Sequence, residues 1–404
     1  MRQTTPHAQA HIAQGITITG LGMVTPIGLD VVSSCAAARA GLSRRSELPI
    51  EEANVDTLET VPLRGHVVQG VTNGFDGFAR LLRLGDLALG DLLENSRLGG
   101  EHLSKTGLVL NLPGDFYEEA HLRASLSEVP PEDEAEAAER EELFAEARLA
   151  RERMKQRMPR ELLALHSLAI PSQVQACFTG GAAAFIRGLA QAVHWLQTRA
   201  VDRCILGGID SFVHGEPLTQ VHELGLTRGV ENVTGFFPGE ASAFALLERT
   251  EAARARGAAV LGYLGPYAAA RETQHRFSSP PPLGAALFEA IAACLAPRSP
   301  QPRDAGLVIV NLNGDTVRAR DFGTALVRLA DAKLSSAFRQ WYPPEHFGEI
   351  GAATGAASLC MGIRGFARNY AGTQDILVAL LDDEQERGAF VLESPLAPPP
   401  QGAP

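Results

Sequence analysis

One cysteine lies in a local sequence that suits nucleophilic chemistry. A polar, extended stretch, residues 171–176, leads to Cys177, and small residues then begin a helical pattern over residues 180–198. A thiol at the N-terminus of a helix experiences the positive end of the helix dipole, which lowers the pKa of the thiol and favours the thiolate. The sequence therefore predicts that Cys177 is a nucleophile and that alkylating agents label it before the other cysteines.

The other four cysteines are typical of buried structural positions. Cys35, Cys294 and Cys360 lie in alanine-rich helical sequence. Cys204 lies in an apolar run that predicts a strand. The chain contains no CxxC pair, and its eleven histidines show no metal-ligand spacing. We therefore expect no metal site and a reduced, cytoplasmic compartment.

The composition of the 404-residue chain indicates a large folded core, because hydrophobic residues make up 45% and charged residues 21%. A net charge of −11 without a basic cluster argues against a nucleic-acid partner. Apolar runs such as residues 376–381 are far shorter than the roughly 20 residues of a membrane helix, and residues 1–15 lack a signal-peptide core. Gly20 and Gly22 lack the third glycine of a dinucleotide loop. We therefore expect no membrane association and no cofactor.

Short apolar runs alternate with longer helical patterns, which predicts an α/β fold. The runs are nearly continuous in Val, Ile, Leu and Ala, as in strands covered by helices on both faces. Predicted strands cover residues 16–19, 106–112, 204–207, 241–247, 307–312, 376–381 and 389–392. Predicted helices cover residues 30–40, 78–93, 180–198, 283–295 and 354–367.

Two short segments are repeated in the same order along the chain. Residues 107–115 are similar to residues 306–315 with one insertion, and residues 179–183 are similar to residues 354–357. Two matches in order favour a duplicated fold. The sequence thus predicts two similar halves, residues 1–254 and residues 255–394, followed by a Pro-rich tail at residues 395–404.

A charged segment interrupts the first half. Acidic residues dominate the beginning of residues 132–158 and basic residues dominate the end, an order that complements a helix dipole. We predict an exposed helix that ends at Pro159, within an insertion of about residues 116–159. Its exposed face is either simply solvated or binds a partner.

Several segments, in the right order, resemble the β-ketoacyl synthases of the thiolase superfamily. The turn at residues 176–180 resembles the nucleophile turn of that family, and residues 235–248 resemble its GFxxGE segment. The other similar segments are residues 16–28, 204–210, 311–315 with Asp321 beyond them, and 351–355. The resemblance implies a thiolase-like fold, in which two similar halves form five layers, α/β/α/β/α.

The same resemblance implies the substrates and partners. The substrate would be an acyl thioester, delivered by an acyl carrier protein or by coenzyme A. The chain would form a homodimer, or a heterodimer with a related synthase. The strand at residues 204–207 would lie at the two-fold interface.

The sequence departs from the family at the two histidines that assist decarboxylation. Asn313 stands at the first histidine position, and Gly348 or, with one gap, Glu349 stands at the second. An amide can donate a hydrogen bond to a thioester carbonyl but cannot shuttle a proton at neutral pH. Glu349 could act as a general base only if burial raised its pKa. The resemblance thus gives Cys177, Asn313 and Glu349 as the candidate catalytic residues.

A third departure concerns the glycine-rich GFGG segment of the family, which supplies an oxyanion-hole N–H. Residues 380–388 replace it and include Asp382 and Asp383. Carboxylates near the site would repel both a thiolate and an enolate, and would raise the pKa of the cysteine. Normal decarboxylative condensation is therefore not expected.

Two functions fit this combination. In the first, the protein acts in fatty-acid or polyketide metabolism and transfers acyl groups through Cys177, because attack on an activated thioester requires only a thiolate and one or two oxyanion donors. In the second, it is a non-catalytic scaffold or partner subunit of another condensing enzyme, like a chain-length factor. Retention of Cys177 favours the first, and loss of both histidines favours the second. An unrelated cysteine hydrolase is weaker than either, since no histidine can be assigned to Cys177.

Overall fold

A computed structural model describes residues 8–54, 56–127, 134–230, 232–296, 306–334 and 338–395. The strands are β1 Ile16–Val24, β2 Ser46–Asn54, β3 Glu59–Gly65, β4 Thr106–Leu112, β5 Gln175–Thr179, β6 Arg203–Ser211, β7 Glu240–Arg249, β8 Gly262–Arg271, β9 Leu307–Val310, β10 Arg339–Trp341, β11 Asp375–Leu381 and β12 Glu386–Glu393. The helices are α1 Val31–Arg39, α2 Gly77–Ser96, α3 Phe116–Ser127, α4 Glu134–Leu165, α5 Phe185–Gln197, α6 Gly215–Glu223, α7 Thr250–Ala255, α8 Ala285–Leu295, α9 Thr316–Asp331, α10 Pro343–Phe347 and α11 Thr354–Ala367. From residue 396 on, the predicted Pro-rich tail lies outside the described residues.

Ten strands are joined in the order β10-β9-β11-β12-β8-β1-β7-β6-β4-β5, and β2 and β3 form a separate hairpin. Only two residue pairs, Thr17–Tyr263 and Ile18–Gly262, connect β1 to β8. On each side of this junction, five strands follow the same order with the same parallel and antiparallel neighbours. The two similar halves are therefore present, while the domain boundary at residue 254 stays a prediction.

Helices cover both faces of each set of strands. The core between the two sets contains α5 and α11, with residues such as Phe185, Leu189 and Cys360 fully buried. On the outer face of the first set, α2 and α4 pack over a second core. On the outer face of the second set, α8 and α9 pack over a third. The predicted arrangement of five layers is confirmed.

The charged segment forms a longer helix than the sequence predicts. Glu132 and Asp133 of the predicted helix lie outside the described residues, and α4 continues through Pro159 to Leu165. Proline removes one hydrogen-bond donor from a helix. Burial of Met158 and Leu162 on either side of it holds the helix against the first-half core. The prediction that the helix ends at Pro159 is therefore wrong.

The strand that was expected at a two-fold interface has no free edge. Residues 204–207 belong to β6, which lies between β4 and β7 and is buried along its whole length. Backbone groups that already bond on both sides cannot pair with a second chain. The expectation for residues 204–207 is therefore wrong. In the described part of the chain, β5 is the edge strand of this half.

Close packing of β1 on α2 requires glycine at position 22. A Cβ added to Gly22 would lie 2.2 Å from the carbonyl oxygen of Ala88 and 2.4 Å from the nitrogen of Leu92. We expect Gly22→Ala to lower the free energy of unfolding by about 2 kcal/mol, because backbone atoms must move apart. Urea denaturation followed by circular dichroism measures this. In the control, Gly323→Ala in α9, the added Cβ meets no atom within 4 Å. Equal stability of the two variants would contradict the prediction.

Candidate functional site

A cavity of about 370 Å³ lies at the carboxyl ends of several parallel strands, which is where α/β sheets commonly bind ligands. Its floor comes from segments that follow β4, β5, β6 and β11. Its walls are largely apolar and include Phe78 and Leu81 of α2, Met154 of α4, and Phe212. The helix α4, which belongs to the charged segment, therefore helps to form the cavity. Neither the cavity nor this contribution of α4 was predicted.

A buried guanidinium, that of Arg318, lines the cavity. Arg318, in the first turn of α9, places its Nε 2.8 Å from Asp383 Oδ1 and its Nη1 2.5 Å from Glu349 Oε2. The Tyr117 hydroxyl donates a hydrogen bond of 2.6 Å to Asp383, and the Asn313 amide donates one of 2.6 Å to Glu349. We call these five residues the Arg318 network. It joins α3 of the first half to α9 and the loop after β11 in the second.

Local structure explains why Arg318 points inward. Asp315 caps α9 by accepting hydrogen bonds from the backbone of Val317 and Arg318. Arg318 then lies on the buried face of the helix, on the same side as Phe322 and Ala325. The sequence reasoning missed Arg318. A signal was present, because a basic residue that falls on the apolar stripe of a helix must be paired when it is buried.

The charged groups of the network shift the pKa values of their neighbours. Burial opposes the ionised form of Asp383, yet Arg318 and Arg276 hold the pKa of Asp383 well below its usual range. Burial alone would lower the pKa of Arg318, but the charges of Asp383 and Glu349 raise it well above the ordinary arginine value. Asp383 and Arg318 are therefore both ionised at neutral pH.

The structure places both Asn313 and Glu349 in this network. Glu349 is 1% exposed, and its Oε1 also accepts a hydrogen bond from the backbone of Gly351. A carboxylate held by an arginine, an amide and a backbone N–H is not free to take a proton from a substrate. One N–H of the Asn313 side chain is likewise engaged, in its hydrogen bond to Glu349. The catalytic roles expected for these two residues stay predictions.

Three further buried or half-buried carboxyl groups line the cavity without a salt bridge to any described residue: Asp210, Asp382 and Glu384. Burial raises the pKa of Asp210 to about 7. Burial also raises the pKa of Asp382 and of Glu384, and their mutual repulsion raises that of Glu384 further. A Cβ on Gly181 would lie 2.1 Å from Asp382 Oδ1. The loop that replaces GFGG therefore meets the turn after β5, as the resemblance implies.

Cys177 lies apart from these groups. It is in β5, eight residues before α5 begins at Phe185, and it packs against the core beneath α2 and α4. Burial raises the pKa of Cys177 to about 12, although Lys155 opposes this. The expectation that a helix dipole lowers this pKa is therefore wrong, because the strand and the following turn separate the thiol from the helix. The described lining of the cavity contains no cysteine, and His214 is its one histidine.

In the described parts of the chain, no cluster of three or more His, Cys, Asp or Glu side chains is placed to hold a metal ion. None of the helices in these parts combines the length and the apolar character needed to cross a membrane.

Comparison with known proteins gives structural matches only. No protein-family model matches the chain, and no curated protein matches its sequence. A type II polyketide-synthase acyl-carrier protein in complex with its ketosynthase gives a TM-score of 0.69 at 15% identity, over 94% of this chain and 99% of that chain. The chain has the fold of the ketosynthases.

Two more solved structures agree. The ishigamide ketosynthase/chain length factor gives a TM-score of 0.68 at 17% identity, over 94% of this chain and 98% of that chain. The oxazolomycin ketosynthase domain of Streptomyces albus gives 0.68 at 17% identity, over 97% of this chain and 76% of that chain. The thiolase-like fold is thus confirmed, whereas the chemistry depends on the site itself.

Removal of Arg318 should destabilise the protein in a pH-dependent way. In Arg318→Gln, Glu349 loses its buried counter-charge and Asp383 keeps only Arg276, so we expect a loss of about 3 kcal/mol in the free energy of unfolding at pH 8. The pKa of Asp383 should rise, so protonation should relieve part of this loss at pH 5. Urea denaturation at both pH values measures the difference.

The control is Arg320→Gln, two residues away on the exposed side of α9. It should leave the stability unchanged at both pH values. An equal loss for Arg318→Gln at pH 5 and pH 8 would show that lost packing, rather than uncompensated charge, causes the effect.

Proposed function

We propose that this protein is a non-catalytic partner subunit of a condensing enzyme of fatty-acid or polyketide metabolism, of the chain-length-factor kind. The Arg318 network is the observation that carries the proposal. It occupies, with Asn313 and Glu349, the two positions at which the resemblance expects catalytic histidines. The protein keeps the fold and a cavity but has replaced the reacting groups with a buried set of ion pairs.

The chemistry of condensation explains why this replacement matters. Decarboxylation of a malonyl thioester forms an enolate, whose oxygen requires strong donors; each donor contributes about 3 kcal/mol, or roughly a hundredfold in rate. Here Asn313 donates to Glu349, and Glu349 itself brings a negative charge. The site therefore lacks one donor and repels the developing enolate.

Acyl transfer through Cys177 is the less supported of the two functions. With a pKa of about 12, only about one thiol in 10⁵ is ionised at pH 7. No described histidine forms a hydrogen bond with it, and the thiol does not line the cavity. Both findings argue against a nucleophile that is loaded from an acyl thioester.

The proposed partner is a related ketosynthase that carries its own reactive cysteine. The comparisons support this, because two of the matched structures are a ketosynthase with its acyl-carrier protein and a ketosynthase/chain length factor. The free edge of β5 offers backbone groups for antiparallel pairing with a second chain. In such a complex the apolar walls of the cavity would contact the acyl chain, delivered on a carrier protein or on coenzyme A.

The absence of catalysis can be tested on the chain alone. We expect incubation with acetyl or malonyl thioesters of carrier protein and of coenzyme A to give no adduct on Cys177 and no carbon dioxide. Intact-mass spectrometry and release of labelled carbon dioxide measure these. Steady carbon dioxide release that Cys177→Ala or Asn313→Ala abolishes would refute the proposal.

The role as a partner can be tested in a complex. Co-expressed with a cysteine-containing ketosynthase from the same cell, the chain should form a heterodimer in sedimentation experiments. Ala150 is an exposed α4 residue that lines the cavity. Ala150→Trp should narrow the cavity and shorten the acyl products of the complex, measured by mass spectrometry. Ala138→Trp, also exposed on α4 but outside the cavity, is the control. Lack of a complex, or identical products from both variants, would count against this role.

A further inference from the structure

A second cavity, of about 460 Å³, lies away from the carboxyl-lined floor of the first. Its lining includes Arg45, Arg228, the ring of Phe237 and the imidazole of His66. Asn313 also lines it, and since Asn313 bonds to Glu349 of the first cavity, the two cavities lie on opposite sides of that hydrogen bond. We call this second cavity the arginine pocket.

The guanidinium groups of Arg45 and Arg228 lie near the same aromatic ring, and neither is paired with a carboxylate of the described residues. The guanidinium carbon of Arg45 lies 4.3 Å from the centroid of the Phe237 ring, and that of Arg228 lies 5.4 Å from it. Within the described part of the chain, neither guanidinium forms a salt bridge with a carboxylate. Glu345 is on the lining and is exposed, and no salt bridge joins it to either arginine. Two like charges held at one ring create a field that favours an anion.

His66 forms the buried wall of the pocket. It is 1% exposed, and its ring lies edge-on to Phe237 at 6.1 Å. Burial and the charge of Arg45 lower the pKa of His66 to about 4. A neutral ring therefore adds no positive charge to the pocket.

We propose that the arginine pocket binds a phosphate ester. A tetrahedral phosphate presents three oxygens in different directions, so it can accept hydrogen bonds from two guanidinium groups that approach from different elements. A carboxylate offers only two oxygens, which lie in one plane. Gly314, which is exposed and has a φ of +95°, lies on the same lining.

This site is independent of the function proposed above. The ligand contacts neither the Arg318 guanidinium nor the carboxyl groups of the first cavity, and the measurement needs no partner subunit. Failure to find phosphate binding would leave the partner role untouched, and failure of the partner role would leave the phosphate site untouched.

The test is titration of the whole chain with inorganic phosphate, followed by calorimetry and by NMR of the His66 and Phe237 ring signals. We expect saturable phosphate binding that shifts the NMR signals of both rings, and we expect acetate to bind more weakly. Arg45→Gln and Arg228→Gln should each weaken phosphate binding by about tenfold, since each removes one charged donor. Both arginines are exposed, so the variants should fold. Arg320→Gln, exposed and outside the pocket, should bind as the unchanged chain does.

Two further probes separate the sources of such a phosphate. If pantetheine 4′-phosphate binds more tightly than inorganic phosphate, the natural ligand is the phosphopantetheine arm of a carrier protein or of coenzyme A. If the two bind equally, the natural ligand is a free phosphate. Either result supports the site. Pantetheine binding as tightly as its phosphate, unmoved ring signals, or unchanged affinity in both arginine variants would overturn it.

Discussion

The pairing of one buried guanidinium with two buried carboxylates determines how the rest of the site is built. Arg318 is 4% exposed, and a lone charge at that depth would cost several kcal/mol. The two carboxyl groups must therefore be held in place beside it, which uses Asn313 on the Glu349 side and Tyr117 on the Asp383 side. Replacement of any one member would remove a hydrogen bond or a charge from its buried partners, so these residues constrain one another.

The charged carboxyl groups around this network also link the stability of the fold to pH. Asp210 has a pKa of about 7 in the folded protein, above its value in the unfolded chain. Its contribution is favourable below the unfolded pKa and is lost as the pH rises toward 7. Asp383 has the opposite effect on stability. Its pKa is lowered in the folded protein, so its stabilising contribution is lost on acidification. The two groups act against each other across the acidic range.

Much of the fold followed from the sequence, because buried parallel strands need continuous apolar residues. The predicted range of β4 agrees with the structure residue for residue, and so does that of α11. The strands β2 and β3 were not predicted, since they form an exposed hairpin rich in charged and polar residues.

The candidate site was harder to predict, because its properties arise from packing. Glu349 and Asn313 were singled out, but their hydrogen bond joins positions 36 residues apart. The pKa of Cys177 depends on burial beneath α2 and α4, which local sequence does not reveal. A helix dipole would act on Cys177 only if the helix began beside the thiol, whereas the end of a strand and a glycine turn come first.

The narrow junction between β1 and β8 has a mechanical consequence. Backbone pairing between only two pairs of residues is too little to hold the two sets of five strands together. The cohesion of the molecule therefore rests on side chains of the layer formed by α5 and α11, which packs against both halves. The halves should consequently unfold as one cooperative unit, and damage to this shared layer would weaken both sheets at once. Changes in the outer helices α2 or α8 would be confined to one half, so each half could acquire its own chemistry while the common interior stayed the same.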